Sequence, residues 1–285
     1  MTDEIPDVGR RALIGGGLAV VLGAGAAACS SPSSPATAGP PSTGPAPDAA
    51  ASTPPPAAVS PSVEASPSAS GATPSRAVGA PAVLQTPGAD IRRATGSAPA
   101  VALTFHGAGD PALTRRALAI LRAHGSHVTV FAVGTWLSAN PDLGRAIVAG
   151  GHDLGNHTWS HQTLPRLSAS AARSEISRGA AAVAAVEGAA TYLFRPSGTP
   201  TSTATIRAAA RASGYERCIS FDVDPADYQD PGTRAVVSRT LDAVRAGSIV
   251  SLHLGHPGTV DALEAILAGL DSRGLAPVTV TTLLA

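Results

Sequence analysis

Val101-Ala102-Leu103-Thr104-Phe105, then Asp110-Pro111 with the run Ala112 to Ala123, then Val128-Thr129-Val130-Phe131-Ala132-Val133 together decide the fold. A short, uninterrupted apolar run reads as a strand buried on both faces. Asp110 followed by Pro111 is a strong helix start, the first as N-cap and the second as the initial helical residue. A second apolar run after that helix returns the chain to a strand. Strand, helix and strand at this spacing form a crossover unit, which pairs its two strands in parallel.

The alternation continues outward. Asn140-Pro141 opens another helix, and Asp153-Leu154 is a short strand. Further strands are expected at Tyr192-Leu193-Phe194, Arg217 to Val223, Ser248 to Leu254 and Val278 to Thr282. Alanine-rich helical runs separate them at about 169–186, 203–212, 234–245 and 260–273. The fold class is therefore α/β, a parallel sheet covered on its outside, and either a barrel or a doubly wound sheet fits. In both, a site belongs at the C-terminal ends of the strands. His106, Asn156 to His161, Arg195, Asp222 with Asp224, and His253 all fall at such ends.

Three regions divide the chain. Residues 1–29 carry Arg10-Arg11, an apolar run and Ala26-Ala27-Ala28-Cys29, the order of an export signal. A cysteine directly after small residues resembles a bacterial lipobox, which predicts a lipidated Cys29 anchoring the protein to the membrane. The arginine pair also resembles a twin-arginine signal. The expected location is the outer face of the cell membrane, or the cell wall if the leader is simply cleaved. Residues 30–98 are mostly Pro, Ala, Ser and Thr, with too little bulky apolar surface to offset the entropy of ordering, and read as an extended spacer. Residues 99–285 form the folded domain.

Composition excludes several functions. Twenty basic residues balance 20 acidic ones, and no basic run supplies the positive footprint that nucleic acid requires. No residue is lysine, which removes the P-loop and every lysine Schiff-base mechanism. The two cysteines, Cys29 and Cys218, lie in different regions, and Cys218 reads as a small buried hydrophobe. Gly107-x-Gly109-x-x-Ala112 fits a dinucleotide fingerprint, but Asp110 would set a negative charge where a pyrophosphate belongs. No Gly-x-Ser-x-Gly elbow is present.

His157 and His161 are four residues apart, a spacing that on one helical turn aims both imidazoles the same way. Neutral imidazoles suit a divalent metal, above all Zn²⁺. Gly151-His152-Asp153-Leu154-Gly155-Asn156-His157-Thr158-Trp159-Ser160-His161 resembles the second motif of the polysaccharide deacetylases, the NodB-homology or carbohydrate esterase 4 group. The resemblance runs from Val101 to Leu284. Val101 to Phe105 resembles the entry to the first motif, Phe194-Arg195-Pro196-Ser197-Gly198 the third, Ser220 to Tyr228 the fourth, and Gly247 to His253 the fifth. It implies a distorted (β/α) barrel and a metal-dependent hydrolase that removes acetyl groups from an N-acetylated polysaccharide, peptidoglycan being the nearest. It further implies His253 as the acid that protonates the leaving amine, Asp224 orienting that ring, and Arg195 supporting the base.

The first motif departs from the family pattern. Thr104-Phe105-His106-Gly107-Ala108-Gly109-Asp110 stands where the family reads Thr-Phe-Asp-Asp-Gly, so the base position holds His106 and the ligand position Gly107. Three arrangements follow. Asp110 bends back through the glycine turn to join His157 and His161 on the metal, with His106 as base. Alternatively, His106 is the third ligand, and Asp110 is the base or only a helix cap. In the third, the site is degenerate and the domain binds glycan without cleaving it.

Overall fold

The computed structural model describes residues 79–96 and 98–285. The leader, Cys29 and most of the spacer lie outside the described residues. The spacer as expected ran to residue 98, but its last part belongs to the folded domain. Leu84, Ile91 and Ala94 are buried, and Ile91 pairs in parallel with Ile219. Three apolar side chains among the prolines are enough to seat this stretch on the sheet.

The regular strands are β1 (Ala100–Gly107), β2 (Thr129–Ala132), β3 (Asp153–Asn156), β4 (Ile249–His253) and the two-residue β5 (Ala276–Pro277). All pair in parallel, in the order β3-β2-β1-β4, with β5 against the start of β1. The helices are α1 (Pro111–Ala123), α2 (Gly134–Ala139), α3 (Pro141–Ala149), α4 (Ala169–Glu187), α5 (Ala204–Arg211), α6 (Thr233–Ala243), α7 (Pro257–Asp271) and α8 (Val280–Leu284).

The two sheet edges are joined by irregular backbone. Asn156 N–H donates to Leu193 O (2.8 Å), Ile219 N–H to Phe194 O (2.8 Å), and Ser251 N–H to Val223 O (2.9 Å). Segments 192–194 and 217–223, expected as regular strands, thus contribute single parallel bridges: Asn156 to Phe194, Ile91 to Ile219 and Val223 to Val250. The result is a closed but distorted barrel. Val278 to Thr282, also expected as a strand, instead enters α8. The Thr279 side chain accepts from Thr282 N–H, and the buried Asp153 carboxylate accepts from Thr281 N–H (2.9 Å). These caps override the β-propensity of the Val and Thr residues.

Strand alternation separates two cores. Val101, Leu103 and Phe105 of β1 pack outward against the helices, together with Leu121 of α1 and Leu263 and Ile266 of α7. Ala102, Phe131, Leu193, Ile219 and Ile249 fill the barrel, with Leu84 and Val280 in the same cluster. Since side chains two apart share a face, Thr104 and then His106 continue the inward row of Ala102 toward the C-terminal rim. In register, His106 lies beside Phe131 of β2 and His253 of β4.

Candidate active site

Parallel register gathers the histidines. His106 and His253 are paired neighbours near the ends of β1 and β4, and His157 follows the last residue of β3. Ring centroids lie 4.2 Å apart for His106 and His157, 4.8 Å for His157 and His161, and 4.2 Å for His106 and His253. Within this group one ring nitrogen from each of His106, His157 and His161 falls within 4.8 Å of the other two.

The donor set fits a divalent cation. His157 Nδ1 contacts Arg195 O at 2.8 Å, so it carries the proton and Nε2 offers a lone pair. His157 Nε2 and both His106 nitrogens are buried without a hydrogen-bond partner. Burial pushes the pKa of His106 and His157 well below 6.5, and the neighbouring histidines and Arg195 push it further. Lost solvation and His253 lower that of His161 as well. Neutral imidazoles around orphaned nitrogens are what a metal needs and what an empty polar pocket would otherwise avoid.

His157 and His161 do not share a helical turn. Both belong to a loop in which Thr158 (φ 67°) and His161 (φ 58°) are left-handed, and this bent backbone brings the rings together.

Asp110 does not join them. Its carboxylate accepts from Ala112 N–H (2.8 Å) as the N-cap of α1, at an exposed position. The turn before it cannot bend back, because Gly109 (φ 86°) is packed on Gly255 and its carbonyl accepts from the Trp136 indole (3.0 Å). Nor is there space at Gly107. A Cβ there would stand 2.8 Å from Val130 Cγ1 and 3.1 Å from Ala132 Cα.

Arg195 is buried below the histidines. Its guanidinium donates to Thr104 Oγ1 (2.8 Å), Ile219 O (3.2 Å) and Ser220 O (3.0 Å), and stacks on Phe131 with 4.3 Å to the centroid. It therefore ties three segments of the barrel wall together. Burial pulls its pKa down to about 9 against the opposing field of Asp224.

His253 is oriented by Asp227, not by Asp224. Asp227 Oδ1 lies 2.8 Å from His253 Nδ1, while Oδ2 accepts from His253 N–H (2.7 Å) and Thr259 Oγ1 (2.6 Å). The Asp227 side chain is fully buried and that of His253 is 20% exposed. Asp224 is exposed and accepts from Ala226 N–H (2.9 Å). Left-handed Ala226 (φ 54°) turns the chain between the two carboxylates and sends Asp227 inward. Both aspartates stood in the fourth motif, and no spacing rule separates them.

Residues 93–218 match the polysaccharide deacetylase family. A chitooligosaccharide deacetylase of Bradyrhizobium is 31% identical over 190 residues, covering 61% of this chain and 85% of that one. The chain belongs to the polysaccharide deacetylase family. A peptidoglycan-N-acetylglucosamine deacetylase of Bacillus cereus is 32% identical over 196 residues, covering 65% of this chain and 87% of that one. Among solved structures, a carbohydrate esterase 4 pseudoenzyme from Bacillus anthracis superposes with a TM-score of 0.64 at 25% identity, covering 69% of each chain. Its mutant with restored enzymatic activity superposes equally well, at 26% identity over 69% of this chain and 71% of that one. The family's barrel is thus the one whose closure is described above.

Proposed function

We propose that this protein is a metal-dependent hydrolase that removes acetyl groups from an N-acetylated cell-wall polysaccharide. In this reading His106, His157 and His161 hold a divalent cation, zinc by donor chemistry, and Asp227 poises His253 beside them. The observation that carries it is the trio of imidazoles whose ring nitrogens converge, with those of His106 and His157 Nε2 buried and orphaned, and with His106 4.2 Å by ring centroid from His253, a histidine held by a carboxylate. When bound, such a cation polarises a carbonyl and makes water nucleophilic near neutral pH.

The chain's own residues supply the proton transfers. Nδ1–H of His253 donates to Asp227, so Nε2 is the basic atom. It takes the proton of the attacking water and returns it to the amide nitrogen as the C–N bond breaks, giving acetate and a free amine. Among the described residues the candidate ligand trio contains no carboxylate, and in this reading His253 serves as both base and acid. His106 is then a ligand, and its role as base passes to His253. Arg195 fixes the barrel wall beneath the site and offers the His157 ring its backbone acceptor. Peptidoglycan is the proposed polymer, reached from the outer face of the cell membrane by a chain anchored through a lipidated Cys29.

A non-catalytic glycan-binding role is the second reading, favoured by the missing carboxylate at Gly107 and the likeness to a pseudoenzyme. One experiment separates them. The full chain, loaded with zinc, is assayed for acetate release from chito-oligosaccharides and peptidoglycan, beside His157→Ala and His253→Ala. Release that both variants abolish supports the hydrolase. Stoichiometric zinc with glycan binding and no acetate supports the binding role.

A further inference from the structure

We infer that Glu175 of α4 is a positioning residue that holds the histidine loop in its metal-binding shape. The inference rests on the reading of His106, His157 and His161 as the ligand set. Glu175 is buried, with 5% of its surface exposed, although it sits on a helix whose exposed face has ample room for a charge. Its carboxylate is spent on the loop. Oε2 accepts from Ser160 N–H (2.8 Å), and Oε1 from Ser160 Oγ (2.8 Å) and Gln162 Nε2 (3.2 Å). These are the residues on either side of His161.

The loop needs such a restraint. Left-handed backbone at Thr158 and His161 is disfavoured for residues with a Cβ, and it persists only where surroundings over-determine it. Thr158 has its own restraint: Asn156 Oδ1 accepts from its N–H (2.9 Å), and Asn156 Nδ2 donates to Ile176 O (2.9 Å) and Tyr215 Oη (3.1 Å). Arg178 stacks on Trp159 at 4.3 Å, and a Cβ at Gly179 would lie 2.7 Å from the Thr158 carbonyl carbon. Glu175, Arg178 and Gly179 recur at helical spacing, so one face of α4 presses along the whole loop. His161 itself lies at an exposed position, so its backbone turn is held through its neighbours: Ser160 and Gln162 by Glu175, and the Gln162 carbonyl also by Ser197 Oγ (2.5 Å).

The test is zinc affinity of the full chain by chelator competition, with the visible spectrum of the cobalt-substituted protein as a report on coordination. Glu175→Ala is expected to weaken zinc binding about 10- to 100-fold, the usual effect of losing a residue that orients a metal ligand. It should also reduce the intensity of the cobalt bands. Val183→Ala, two turns along α4 and away from the loop, serves as a destabilised control and is expected to keep wild-type affinity. Should Glu175→Ala fail to fold, Glu175→Gln carries the test. It retains one acceptor oxygen and is expected to lose affinity to a smaller but measurable degree. Wild-type zinc affinity in the folded Glu175 variant, or an equal loss in Val183→Ala, overturns the clamp and leaves the ligand set standing. A wild-type chain that takes up no zinc after reconstitution overturns both.

Discussion

Replacing Asp227 by asparagine isolates the pair that the proposed chemistry depends on. The carboxylate receives three hydrogen bonds at 2.6–2.8 Å, from the His253 ring, the His253 amide and Thr259, and is fully buried. An asparagine with its oxygen on the His253 amide and Thr259 turns its NH₂ toward Nδ1. That nitrogen must then accept, so the ring's proton moves to Nε2, the atom that has to be basic. Imposing the wrong tautomer on a histidine of this kind lowers kcat by roughly 10⁴. At about 1.4 kcal/mol per decade, that is between 5 and 6 kcal/mol of lost transition-state stabilisation, roughly. Folding stability should fall by only about 1–3 kcal/mol, since one charged hydrogen bond is weakened while two others persist in neutral form. Zinc content should not change, because Asp227 touches none of the three ligands. The assay is the initial rate of acetate release, with zinc stoichiometry and urea denaturation on the same preparations. Asp224→Asn is the comparison, expected to stay within about threefold of wild type as a surface substitution. Asp227→Asn within tenfold of wild type, or an equal collapse in Asp224→Asn, would refute the assignment.

Three further outcomes follow from the same geometry. Asp110→Ala should leave zinc binding intact and destabilise the fold by about 1 kcal/mol, the value of a lost N-cap; zinc lost in this variant would return Asp110 to the ligand set. Gly107→Asp, which restores the family's residue, should destabilise by about 1–3 kcal/mol without raising activity, because its Cβ has to displace Val130 and Ala132; faster acetate release from this variant would show that β1 can shift to admit a ligand. The metal-free protein should be most stable above pH 6.5 and weaken below it. His106, His152 and His157 have folded pKa values beneath the unfolded value, so the unfolded chain binds more protons as pH falls. His152 is the cleanest probe. Burial and His127 hold its pKa down to about 4, and its Nδ1 accepts from Val128 N–H. Its share of the loss reaches about 3 kcal/mol at pH 4. Denaturation midpoints measured from pH 7.5 to 4.5 should fall less steeply in His152→Asn, and an unchanged slope counts against this account.

The sequence by itself determined the alternation, most helix boundaries and the rim on which the polar residues gather. Apolar runs, proline starts and caps are local, and local physics reads them. It also singled out His157, His161 and His253, whose rings the structure gathers in one cluster, because their motifs are contiguous stretches of chain. It did not determine how the barrel closes, since segments 192–194 and 217–223 pair through single bridges whose partners are remote in sequence. It gave α8 the pattern of a strand, because the Asp153 carboxylate that receives Thr281 N–H comes from the far side of the sequence. The first motif was open among His106, Asp110 and no ligand at all. Tertiary structure narrowed it through Trp136 and Gly255, which fix the turn and leave Asp110 as a cap. The choice of Asp227 over Asp224 rested on a single left-handed residue, Ala226. Except for that local turn, the deciding contacts lie across the fold, where periodicity and spacing carry no information.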